Sequence, residues 1–134
     1  MQINRITGLI IAEAIQIHRE LGPGLLESVY EAVLSRRLRK LGLRVACQLE
    51  VPLVVDGEPY PIGFRLDMLV EDQVIVELKS VEILPPVAFK QLTTYLRLTG
   101  TEVGLLINFG EETLKEGLHR VVNKYAGPKP GTKH

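Results

Sequence analysis

Twice along this 134-residue chain the spacing of the apolar residues changes, from helical to alternating and back again. Up to Leu41 they recur every three or four positions, as on one face of a helix. From Arg44 to Leu69 they alternate, with Val45, Cys47, Leu49, Val51 and Leu53 set between more polar neighbours, which is strand behaviour. After Pro85 the helical spacing returns. The run Glu102–Asn108 (EVGLLIN) is then almost wholly apolar, as expected of a buried central strand. The order ααβββαβ plus a trailer predicts an α/β fold with a mixed sheet.

Turn and cap signals divide these elements. Ile3, Ile6, Leu9, Ile10, Ala14 and Ile17 mark the first helix, and Gly22-Pro23-Gly24 stops it. The second carries Leu26, Val29, Tyr30, Val33, Leu34, Leu38 and Leu41 and ends at Gly42. Asp56-Gly57 is a hairpin signal. Strands over about Tyr60 to Val70 and Val74 to Ser80 continue an antiparallel meander. Pro85-Pro86 opens a helix that runs to Thr99, since proline suits a first turn. Glu111 to Tyr125 fits either a helix or an edge strand. Without an internal linker or repeat, residues 1–126 read as one domain and 127–134 as a disordered tail.

Composition narrows the trade. At 46% hydrophobic and 24% charged the chain can bury a core. Sixteen basic residues against sixteen acidic ones argue against binding nucleic acid through bulk positive charge, though not against a local groove. One cysteine, Cys47, excludes an internal disulfide and a Cys-cluster zinc site, and His18, His119 and His134 are scattered. The apolar runs are far below the roughly 20 residues of a membrane span. The expected compartment is the cytoplasm, with no membrane contact.

The informative residues interrupt the apolar pattern. On the second helix Glu27 falls at about +100° from Leu26, inside an apolar arc reaching about +120°, with Glu31 just outside it. A carboxylate there is costly unless a cation or donor meets it, although one on a first turn also suits the helix dipole. In Phe64–Val70, Asp67 sits at an otherwise apolar strand centre. Glu77 and Lys79 lie two apart, on one face of an apolar strand. Such a strand ending in Glu-x-Lys beside another carrying Asp gathers two carboxylates and an amine. With a backbone carbonyl that is an oxygen site suited to Mg²⁺. Gln91 and Tyr95, four apart, flank Ala88, Leu92 and Leu96 and are expected to face partly inward, either to the site or to hydrogen-bond each other.

Gly24-Leu25-Leu26-Glu27-Ser28-Val29-Tyr30, preceded by Leu21-Gly22-Pro23, resembles the pattern of the GxxExxY proteins. The likeness continues through Asp67, Glu77-Leu78-Lys79, Gln91-Leu92-Thr93-Thr94-Tyr95 and Gly104-Leu105-Leu106-Ile107-Asn108-Phe109-Gly110, nearly the whole chain. Those proteins look like PD-(D/E)xK, restriction-endonuclease-like nucleases of the branch with a trailing Q-x-x-x-Y helix. The resemblance implies an αβββαβ core behind an extra N-terminal helix. It implies Asp67, Glu77 and the Leu78 carbonyl as ligands of Mg²⁺ or Mn²⁺, with Glu27 completing the metal or water shell. Lys79 would position the attacking water. Tyr30, Gln91 and Tyr95 would support the site or contact DNA.

One departure stands out. Relatives often carry His three residues before the Gln, and here that position is Ala88. A metal-dependent deoxyribonuclease is therefore set against an inactive nuclease-fold module that binds nucleic acid or a protein. Two further expectations concern surfaces. Arg36, Arg37, Arg39, Lys40 and Arg44 read as a solvated face complementing a helix C-terminus more than as a phosphate track. Ile10, Ile11 and Ile15 on the first helix suggest pairing into a homodimer.

Overall fold

Ile6, Ile10, Ala14 and Ile17 recur on one side of α1 (Ile3–Leu21) and are all buried. On α2 (Glu27–Lys40) the buried stripe is Tyr30, Leu34 and Leu38, with Ser35 beside it. Leu26 and Val29, apolar in sequence, are exposed. The computed structural model describes residues 1–124, so the tail expected over 127–134 lies outside the described residues.

The alternating stretch forms β1 (Val45–Val55), β2 (Glu58–Val70) and β3 (Val74–Lys79), an antiparallel meander. Asp56 and Gly57 turn its hairpin with positive φ. Helix α3 (Pro86–Thr99) then crosses over to β4 (Val103–Asn108), which lies parallel to β3 in the register Val74↔Val103 to Lys79↔Asn108. The ambiguous stretch contains both alternatives. A single turn, α4 (Leu114–Gly117), leads into β5 (Leu118–Val122), antiparallel to β4. The sheet order is β1-β2-β3-β4-β5, and the sheet is mixed as expected.

Two apolar layers cover this sheet. On one face α1 and α2 pack on Met68, Val76, Leu78, Leu105 and Ile107. On the other, Ala88, Leu92 and Leu96 of α3 pack on Leu66, Ile75 and Leu106. Covered on both sides, β4 is buried throughout, and no polar face interrupts its run. Leu106→Ala should therefore cost about 2–5 kcal/mol, read as a lower urea midpoint at unchanged slope.

The surface expected to join two copies is not free. Ile10 is buried, and Ile11 and Ile15 pack against the same core. Free edge strand β1 is blunted by Pro52, by Glu50 and by a left-handed kink at Gln48 (φ 52°). Among the described residues no helix is long and apolar enough to cross a membrane.

One irregularity positions everything that follows. β2 pairs with β3 only over Met68–Val70, and beyond that point it runs on with β1 alone as a two-stranded ribbon. The sheet forks at Asp67.

Candidate active site

At the fork, side chains replace the ladder. The Asp67 N–H donates to Glu77 Oε2 (2.9 Å), and the Leu78 N–H donates to Asp67 Oδ2 (2.8 Å). Each carboxylate grips the main chain of the other strand, so neither can swing away without breaking the exchange. Glu77 is only 6% exposed. Burial first, and then the charge of Asp67, push its carboxyl from the ordinary value near 4.5 up to about 8, against the pull of the Asp67 N–H and of Lys79. Lys79, half-buried, ends β3 and by strand alternation shares the Glu77 side.

Helix α2 forms the opposite wall. Glu27 and Glu31 continue the angular stripe of Tyr30, Leu34 and Leu38, but at the end of the helix that overhangs the fork. Glu27 is therefore exposed, where the sequence suggested a carboxylate enclosed by apolar neighbours. It lines a cleft of about 220 Å³ with Ser28, Glu31, Gln48, Asp67 and Leu78. Gln48, on the β1 kink, donates from Nε2 to Glu31 Oε1 (2.6 Å).

The spacing of the Gly-x-x-Glu-x-x-Tyr segment has a local cause. Gly24 takes φ 94°, a left-handed conformation that side chains disfavour, so the chain reverses sharply before α2. The fully buried Tyr30 then ties this loop down. Its hydroxyl donates to the Gly22 carbonyl (2.6 Å) and accepts from the Leu25 N–H (3.1 Å). Tyr30 thus holds the loop before α2 from within the core and presents no surface to solvent. Tyr30→Phe should lower stability by about 1–3 kcal/mol, because the Leu25 N–H and Gly22 carbonyl lose their partner, and a urea titration checks it.

Of the α3 pair, Tyr95 is half-buried and stacks on Phe64 of the ribbon (centroids 4.6 Å apart, planes 10°). Burial, then the charges of Glu77 and Asp67, hold its phenol above the usual range, so it stands close to the acid pair. Gln91, expected to face partly inward, is exposed, and among the described residues no hydrogen bond joins it to Tyr95. Ala88 is packed among Leu66, Leu92 and Leu96. Position 88 is thus part of the apolar layer between α3 and the sheet.

Among the described residues no three His, Cys, Asp or Glu side chains converge closely enough to share a metal. Glu27 shares the cleft with Asp67, but with Glu77 the three do not close into one ligand set. Two acids pressed together in a buried fork, one forced towards protonation, still make a donor set that a divalent cation fits. Mg²⁺ in particular keeps several waters and needs only one or two carboxylates.

Glu31, Gln48, Ser28 and Phe64 join the neighbourhood without having been singled out as site residues. Glu31 carries a signal, four residues from Glu27 on one helix face. Gln48 is a polar residue on an alternating strand and carries none.

A five-stranded mixed sheet between helices, forked around an acid pair with a lysine two residues on, defines the restriction-endonuclease-like class. The family model of the PD-(D/E)XK nuclease superfamily matches residues 4–121, and the chain belongs to that superfamily. Among solved structures it resembles the crystal structure of SSO0001, with 20% identity and a TM-score of 0.52, over 78% of this chain and 50% of that one. At that identity the likeness speaks for the fold, and this chain spans half the length of SSO0001. No curated protein matches the sequence.

Proposed function

We propose that this protein, a member of the GxxExxY branch, hydrolyses phosphodiester bonds of DNA with Mg²⁺ or Mn²⁺. The observation that carries the reading is the reciprocal grip of Asp67 and Glu77 across the fork, with Lys79 on the same strand. Asp67, Glu77 and the Leu78 carbonyl would hold the cation. When bound, the metal supplies Lewis-acid stabilisation of the phosphate and a more acidic water. Lys79 positions the attacking water and stabilises developing negative charge on the phosphate. Glu27 and Glu31, across the cleft, accept hydrogen bonds from water entering it. Gln91 and Tyr95 on α3 contact the substrate backbone or steady the acid pair.

Purified protein incubated with supercoiled plasmid, linear duplex and single-stranded DNA in Mg²⁺ or Mn²⁺ tests it. Cleavage that chelation abolishes is the expected result. No cleavage of any substrate, together with no Mn²⁺ binding by calorimetry at low salt, would favour a binding module instead.

A further inference from the structure

The segment Asn108-Phe109-Gly110 closes β4 and takes no part in the chemistry above, yet it holds both the chain leaving β3 and the residue that ties down the loop before α2. Asn108 is completely buried, and its amide acts as an added peptide group. Nδ2 donates to the Val81 carbonyl (2.9 Å), while Oδ1 accepts from the N–H groups of Val81 (3.0 Å) and Gly110 (3.0 Å). β3 ends at Lys79, so this pairing supports the chain beyond its last ladder partner. The Phe109 N–H donates to the Lys79 carbonyl (2.8 Å). Its ring stacks on Tyr30 (centroids 4.2 Å apart, planes 8°), the residue that ties down the loop before α2. A methyl group on Gly110 would lie 2.1 Å from the Val81 carbonyl oxygen, so only glycine admits so close an approach.

Ser80 closes the circuit. Its hydroxyl donates to the Leu25 carbonyl (2.5 Å), joining the end of β3 to the start of α2. The two ends of the circuit are the two walls of the cleft.

We propose that Asn108 and Phe109 are positioning residues, which set the end of β3, whose Leu78 lines the cleft, and the start of α2, which carries Glu27, at one fixed separation. A buried amide costs free energy unless every polar atom is paired, and here the pairing is directed at the chain leaving Lys79. The proposal rests on the nuclease reading, because a fixed separation matters only where the two segments act on one substrate.

Two variants test it. Ser80→Ala removes the bond between the walls from a half-buried position, and Asn108→Ala removes the buried amide. Ser80→Ala should speed amide exchange at Leu25 by roughly 10-fold, as local opening becomes easier, and Asn108→Ala should do the same at Val81. Per folded molecule, kcat should fall roughly 10- to 100-fold, with KM and Mn²⁺ affinity within about 2-fold of wild type. A merely structural bond would lower the folded fraction in urea and leave kcat per folded molecule unchanged. That result, or unaltered exchange at Leu25 in Ser80→Ala, overturns the proposal. If Asn108→Ala does not fold, Ser80→Ala decides alone. A wild type that cleaves no DNA, while both amides still loosen in the variants, refutes the nuclease reading and the catalytic purpose of the brace, but not the brace.

Discussion

Lys79→Ala should lower DNA cleavage by roughly 10²- to 10⁴-fold while the protein stays folded and still binds Mn²⁺. Lys79 is half-buried at the end of β3, outside both apolar clusters, so truncating it leaves no cavity in either. Its charge does act on Glu77, drawing that carboxyl down, and its loss leaves Glu77 still more inclined to hold a proton. Plasmid nicking read beside urea unfolding and Mn²⁺ calorimetry separates the possibilities. A variant that cuts as fast as wild type would assign the activity to a contaminant. A variant that cuts slowly because it no longer binds Mn²⁺ would make Lys79 a residue of the metal pocket. Lys79→Arg should recover little, since a planar guanidinium is not a compact ammonium and carries a different hydrogen-bond geometry.

The second large effect is on stability. With its carboxyl raised to about 8, Glu77 binds its proton more tightly in the folded chain than in the unfolded one. Its contribution is therefore fully present below the unfolded value near 4.5 and is lost as pH rises through about 8. Each tenfold change in proton affinity corresponds to about 1.4 kcal/mol, so the metal-free protein should lose a few kcal/mol between mildly acidic and mildly alkaline pH. Glu77→Gln removes the group that titrates. The variant should unfold at nearly the same urea midpoint across that range, be more stable than wild type at pH 8, and bind Mn²⁺ far more weakly. A wild-type profile that rises with pH would refute the raised affinity. In the wild type at pH 7, Mn²⁺ should displace close to one proton, because the ligand form is the carboxylate. Calorimetry in buffers of different ionisation enthalpy counts it.

The same acid pair shows why parts of the site were readable before the fold was known. Asp67 and Glu77 interrupt apolar strands, and a charge inside such a strand stands out against a period of two whatever the surroundings. Glu27 was legible by angle but not by exposure. Whether a residue on the apolar stripe of α2 meets the core or an open cleft depends on how far the sheet extends beneath that turn. The outward orientation of Gln91 has a related cause. Its place at the edge of the α3 stripe left two outcomes, and the packing of Leu92 and Leu96 on the sheet turned it outward. The partial covering of Ile11 and Ile15 was not legible either, because α1 places them against the same core as Ile10, which a helical spacing by itself does not disclose. The ambiguous stretch after Gly110, as far as it lies within the described residues, holds a turn of helix and a strand because β4 offers an edge to pair with.

Local pattern, then, was enough for the order of elements and the mixed sheet, and for marking Asp67, Glu77 and Lys79 as polar residues that interrupt apolar strands. Periodicity and turn chemistry act between neighbours along the chain, and these features depend on nothing more. Which polar residues share one cleft was decided only in three dimensions. The fork between β2 and β3, the overhang of α2, and the Asn108 amide reaching Val81 are contacts between segments far apart in sequence. No spacing rule encodes them, because they exist only once both helical layers have closed on the sheet.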